Sequence, residues 1–173
     1  MHLGLQKEEL TVIIGGPPCQ GLSRNIPADY RYLADSRNQL YRTFLEFVQE
    51  FRPNYVVMEN VPEILKAYNG AIKSEMIDQL EKQGYKVTFG SLNAANYGVP
   101  QTRSRAFFLA SLGKHLQFPE STHTGDIRGD YRDIKSCNQL TILTSNISSI
   151  VTVRDAIGDL PALPPIWGKW GKM

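Results

Sequence analysis

A cysteine set behind two prolines, an acid closing an apolar run and two arginines one residue apart are the side chains here best suited to chemistry. The cysteine is Cys19, in GGPPCQGLS (15–23). Two glycines and two prolines directly after an apolar stretch force a stiff, irregular turn. That turn would present Cys19 at the mouth of a sheet, where a thiolate is a strong, soft nucleophile. A lone cysteine is as readily a small buried hydrophobe. Glu59, in MENV (58–61), follows four apolar residues. In a desolvated pocket it would be a proton donor; at an open strand end it would be a solvated loop residue. Arg103 and Arg105 of QTRSR (101–105) would face one side of an extended segment. They would equally suit a strand edge protected by charge.

The elements that must hold these groups alternate between strand and helix. TVIIG (11–15) reads as a short buried strand and 16–37 as a long, functional loop. Leu40, Phe44, Phe47, Val48 and Phe51 recur at helical spacing over 38–51, and Pro53 ends that helix. YVVM (55–58) is the next buried strand, with Glu59 and Asn60 at its carboxyl end. Ile72, Met76 and Leu80 give one face of a helix over 71–83, stopped by Gly84. Residues 85–92 and 105–111 are strands on either side of the turn NAANYGVP (93–100). This alternation predicts an α/β layer with a mostly parallel sheet, whose ligands bind outside the carboxyl ends of the strands. Cys19 and Glu59 both follow a strand at that end. The pattern divides the chain into a catalytic core over 1–115 and an irregular segment over 116–173. Within the latter, 152–160 suits a short helix with Thr152 and Asp155 in a capping box.

At 173 residues, 42% hydrophobic and 21% charged, the chain can bury one core. No apolar run reaches the length of a membrane span and the first residues lack a signal-peptide core. An intracellular protein is expected, cytoplasmic in a bacterium or nuclear in a eukaryote. Cys19 and Cys137 are then free thiols, and Cys137, in a polar stretch, is incidental. His2, His115 and His123 show no ligand spacing with either cysteine, so no metal is expected. The net charge is +2, and residues 102–173 carry nine Lys/Arg against six Asp/Glu. That surplus is too small to identify a nucleic-acid partner.

The three motifs in this order resemble the cytosine-C5 DNA methyltransferase family. PPCQ (Pro17, Pro18, Cys19, Gln20), ENV (Glu59, Asn60, Val61) and Q-x-R-x-R (Gln101, Arg103, Arg105) match its blocks. SRNQLYRTFLEFVQEFRPNYVVMENV and NAANYGVPQTRSR are also similar to that family, and TVRDAIGDLP more weakly. The likeness is dense over 11–111. It implies part of a Rossmann-like, S-adenosylmethionine-dependent methyltransferase fold, incomplete on its N-terminal side. It also implies duplex DNA as partner, with the target cytosine extruded from the stack.

By the same resemblance Cys19 would add to cytosine C6, Glu59 would hold or protonate N3, and Arg105 would bind O2. Arg103 would support the Cys19 loop or a phosphate. Pro18, Gln20, Ser23, Asn60, Val61 and Gln101 would line the substrate site, and Pro18 and Leu40 would touch the cofactor. The family's Gly-rich cofactor turn and its target-recognition region have no counterpart here. A fragment, or one subunit completed by a complementary chain, is therefore expected, in a bacterial restriction–modification or related system. A tRNA cytosine-C5 methyltransferase and an inactive nucleic-acid-binding remnant remain open alternatives.

Overall fold

The computed structural model describes residue 4 and residues 7–18, 40–124 and 147–161. The elements around the motifs are β1 (Val12–Gly15), α1 (Leu40–Phe51), β2 (Tyr55–Asn60), α2 (Ala71–Lys82), β3 (Lys86–Asn93) and β4 (Ser104–Ser111). Short 3-10 turns cover Pro62–Leu65, Ala67–Gly70 and Ala94–Tyr97. Beyond the main sheet, β5 (His123–Thr124) pairs with β6 (Ser148–Ser149), and α3 spans Val153–Ile157.

The main sheet has the order β1-β2-β4-β3. It is mixed rather than mostly parallel: β1 runs parallel to β2, while β4 is antiparallel to both β2 and β3. The reason is the connection. Residues 94–103 alone join β3 to β4, short of the dozen or so that a parallel crossover needs.

Alternation along the strands decides which side chains enter the core. Val56 and Met58 of β2 and Ala106, Phe108 and Ala110 of β4 are buried on one face. They join Tyr41, Leu45 and Val48 of α1 and Ile72, Met76 and Leu80 of α2 in a single cluster. The face expected for α2 is the one it buries, and the helix stops as expected at Gly84, which has φ +92°. For α1 the expected face is rotated. Tyr41, Leu45 and Val48 go inward, whereas Leu40 and Phe47 are 40% and 54% exposed.

The other face of the sheet carries Val12 and Ile14 of β1 and Tyr55 of β2, which are 42%, 73% and 44% exposed. Gly15 turns towards α1. A Cβ there would lie 2.5 Å from the Phe44 ring, so only glycine lets that ring approach the strand. At the opposite corner Tyr85, buried, donates its hydroxyl to the Pro53 carbonyl at 2.6 Å, joining the start of β3 to the α1–β2 link. No described helix is long and apolar enough to cross a membrane.

Candidate active site

Because β1 and β2 are parallel, their carboxyl ends open on the same edge of the sheet, with Gly15 opposite Met58. The chain leaving β1 therefore runs past the end of β2. A Cβ on Gly16 would lie 3.3 Å from Glu59 Oε2, so the start of the PPCQ loop is against the Glu59 carboxylate. The loop is tied down one step further on. Asn60 Nδ2 donates to the Pro17 carbonyl at 2.8 Å, and Asn60 Oδ1 accepts from the Val61 N–H at 2.9 Å. Asn60, expected against the substrate, is instead 4% exposed with both ends of its amide engaged within the protein. Val61 is half-buried and caps the turn Pro62–Leu65 without contributing a side-chain hydrogen bond.

Glu59 lies on the face opposite the core. Its cross-strand partner on β4 is Phe107, and Arg105 stands diagonally from it on the same face. Arg105 Nε meets Glu59 Oε1 at 2.7 Å, the two side chains being 24% and 40% exposed. Arg105 Nη1 also donates to the Ser104 carbonyl at 2.8 Å. A part-exposed pair of this kind contributes only about 0–1 kcal/mol to stability. Its consequence is geometric: a carboxylate and a guanidinium share one rim of the sheet, within reach of solvent.

Arg103 is exposed and sits one residue before β4 begins. The alternation expected to put it beside Arg105 starts only at Ser104. Gln101 is also exposed, and its carbonyl accepts from the Arg103 N–H at 3.0 Å. Pro18 and Leu40 are both exposed, Pro18 just past β1 and Leu40 at the first residue of α1. Each offers an uncovered apolar surface, of the kind that lines part of a ligand pocket, and no polar group. Cys19, Gln20, Ser23 and Cys137 lie outside the described residues. Among the described residues no group of three or more His, Cys, Asp or Glu side chains is placed to hold a metal ion.

Two polar residues that sequence reasoning does not single out, Asn93 of the turn NAANYGVP and Ser104 of QTRSR, join the site through the base of the 94–103 loop. Asn93, the last residue of β3, pairs with Ser104, the first of β4. Asn93 Nδ2 donates to Ser104 Oγ at 3.0 Å, while its Oδ1 accepts from the Ala95 N–H at 3.0 Å. The signal for this was an asparagine two residues ahead of the N–H it caps, which is standard turn chemistry.

Residues 4–160 match the sequence model of the C-5 cytosine-specific DNA methylase family. A protein of Oceanobacillus iheyensis named as the type II methyltransferase M.OihORF3336P is 35% identical over 187 residues, spanning 95% of this chain and 41% of that protein. Type II methyltransferase M.AgeI of Thalassovita gelatinovora is 38% identical over 162 residues, spanning 92% of this chain and 36% of its own. The crystal structure of a DNA modification methyltransferase encoded within an E. coli prophage superposes with a TM-score of 0.57 at 29% identity. That match covers 88% of this chain and 36% of the other. The chain thus spans well under half the length of these relatives.

Proposed function

The chain belongs to the C-5 cytosine-specific DNA methylase family, and on that premise we propose that it carries the catalytic part of an enzyme that methylates C5 of cytosine in duplex DNA through a covalent Cys19–C6 adduct. The observation that carries this reading is the contact between Glu59 and Arg105 at 2.7 Å. In cytosine N3 and the carbonyl O2 are on adjacent ring atoms. An acid for N3 and a guanidinium for O2 must therefore be neighbours, and here they are.

Cytosine C6 is a poor electrophile. Glu59, by hydrogen bonding to or protonating N3, draws electron density from the ring, and Arg105 holds O2 as negative charge shifts onto it. The Cys19 thiolate then adds to C6, forming the C–S bond and moving a ring electron pair towards C5. Pro18 and Leu40 would hold part of S-adenosylmethionine, which would supply the methyl group that C5 takes, with S-adenosylhomocysteine as the leaving group. Loss of the C5 proton and expulsion of the thiolate restore the ring. The Asn60–Pro17 hydrogen bond holds Pro17, two residues before Cys19 in sequence, against the end of β2. Pro18, Gln20, Ser23, Val61 and Gln101 are assigned to the walls of the base pocket and the flanking phosphate, and Arg103 to the nucleophile loop or a phosphate.

The relatives' names support a type II modification setting. Activity requires cofactor-binding and target-recognition parts, in the same polypeptide or on a complementary chain. The test is covalent capture on a duplex containing 5-fluorocytosine, with cofactor and any co-purifying chain present, alongside methylation of duplex DNA and of tRNA. The reading expects a denaturant-resistant adduct with DNA that Cys19→Ser abolishes together with methylation. Residual methylation by Cys19→Ser above about one hundredth of the parent rate, a loss of only about 2.7 kcal/mol, contradicts the covalent route. Methylation of tRNA alone would move the substrate to RNA.

A further inference from the structure

The guanidinium of Arg105 does not hold its place by the Glu59 contact alone. Its Nη1 is fixed by the carbonyl of Ser104, the residue before it. Ser104 is 7% exposed, and its hydroxyl accepts from Asn93 Nδ2 at 3.0 Å. The same Asn93 amide caps the turn Ala94–Tyr97 through its oxygen. Directly above, the Ala94 N–H donates to the Arg103 carbonyl at 2.9 Å. Residues 94–103 thus leave the sheet through a neck closed by one asparagine side chain and one backbone bond. Beyond the neck the loop is fastened elsewhere. Tyr97 donates its hydroxyl to the Pro119 carbonyl at 2.9 Å, and the Thr122 N–H donates to the Asn96 carbonyl at 3.0 Å. The neck is therefore not needed to keep the loop folded over. What the neck adjoins is the start of β4, where Ser104 and Arg105 stand.

We propose that Asn93 and Ser104 are positioning residues that set Arg105, and through it the Glu59 carboxylate, for the reaction assigned to that pair. The inference rests on the Glu59–Arg105 reading given above. The chain of contacts is continuous: Asn93 amide to Ser104 hydroxyl, Ser104 carbonyl to Arg105 Nη1, Arg105 Nε to Glu59 Oε1. Loss of the amide frees the first residue of β4 to shift. The guanidinium then loses the carbonyl that orients it, and a misplacement of that size at a reacting group lowers the rate without lost binding.

The test is the per-site rate of methylation in the full protein, with any chain that purifies with it, the sites being counted by 5-fluorocytosine capture. Asn93→Ala and Ser104→Ala should each slow the rate per captured site by about tenfold, the scale of one lost hydrogen bond. The KM for DNA should change by less than about twofold, since an interaction made only at the reacting centre is lost. Together the two substitutions should cost little more than either alone, as expected for one shared contact. Asn93→Asp should recover most of the rate, because a carboxylate can accept both the Ala95 N–H and the Ser104 hydroxyl proton. In an Arg105→Ala background Asn93→Ala should add nothing. A loss confined to the captured fraction, with the rate per site intact, would mean that Asn93 only holds the fold, and overturns the proposal. So does a parental rate per site in Asn93→Ala while Glu59→Gln remains slow. A parental rate in Glu59→Gln itself would instead remove the site reading on which the proposal stands.

Discussion

Glu59 stands at the end of β2 with one oxygen on Arg105 and the other facing Gly16, just past β1. An ion pair so open to solvent contributes little to stability, so substitution there should be read in the rate and not in the fold. Glu59→Gln keeps the shape and some hydrogen bonding but has no carboxyl proton for N3. We expect methylation to fall about 10²–10⁴-fold, the usual worth of a positioned general acid, while DNA binding and the denaturation midpoint stay close to the parent. A variant as fast as the parent would make Glu59 a solvated strand end. The motifs were legible through their order and spacing: ENV closes β2 at its carboxyl end, where chemistry was expected, whereas Q-x-R-x-R lies at the amino end of β4, brought to the same rim because β4 is antiparallel to β2. The finer roles were not. Asn60 reads as a substrate contact in sequence, but its burial and its bond to the Pro17 carbonyl come from the parallel pairing of β1 with β2. Residue spacing alone does not reveal which strands pair.

At the level of elements, α1 shows why helical spacing can give the right helix and the wrong face. Its apolar residues form one continuous arc from Phe47 round to Leu45, wider than the strip buried in the core, so spacing alone does not say which half of the arc turns inward. The choice is made by a polar tie. Tyr41 donates its hydroxyl to Glu75 Oε2 at 2.8 Å, and Arg42 grips the same carboxylate at 2.7 and 2.9 Å. That tie draws Tyr41 inward and leaves Phe47 outside, stacked on Phe51 with ring centroids 6.4 Å apart. Its pH dependence follows from its members. Arg42, then Tyr41, hold the Glu75 carboxyl below its ordinary value of 4.5. A depressed acid contributes stability that is present above its unfolded value and lost as pH falls through the folded one. Burial, then Glu75, push the Tyr41 phenol up to about 12. That contribution is full below about 10 and lost as pH rises towards 12. Glu75→Gln should therefore cost about 1 kcal/mol at pH 7, the pair being part-exposed. Urea denaturation should show the gap between variant and parent shrinking at pH 3. An equal gap at both pH values would assign the whole effect to packing. By contrast the start of α3 was legible, although the helix ends at Ile157 and not at 160. The Thr152 hydroxyl accepts from the Asp155 N–H at 3.1 Å and the Asp155 carboxylate from the Thr152 N–H at 2.8 Å, a local pattern needing no distant partner.

For the molecule as a whole, the sheet is covered by α1 and α2 on the face that holds the core cluster, while Val12, Ile14 and Tyr55 remain open on the other. The alternation of strands and helices made the α/β class legible. The place of β4 between β2 and β3 was not, because it depends on how a short connection folds back and not on any periodicity. The same whole-molecule view bears on the cofactor. Micromolar affinity requires about −8 kcal/mol. Burying one exposed apolar side chain such as Leu40 yields only about 1.5–3 kcal/mol, and Pro18 offers no more. Neither side chain supplies a polar group for a ribose hydroxyl or for the charged methionine end of the cofactor. Ordering the ligand then costs several kcal/mol more. The 173-residue chain alone should therefore bind S-adenosylmethionine no more tightly than about 1 mM, or −4.1 kcal/mol, and should not methylate DNA unaided. Titration calorimetry on the isolated chain is the direct measurement, repeated after adding a chain that brings a Gly-rich cofactor turn. Binding should tighten into the micromolar range only in the second titration. A micromolar constant in the first would show that residues beyond Pro18 and Leu40 already complete a cofactor pocket within this chain.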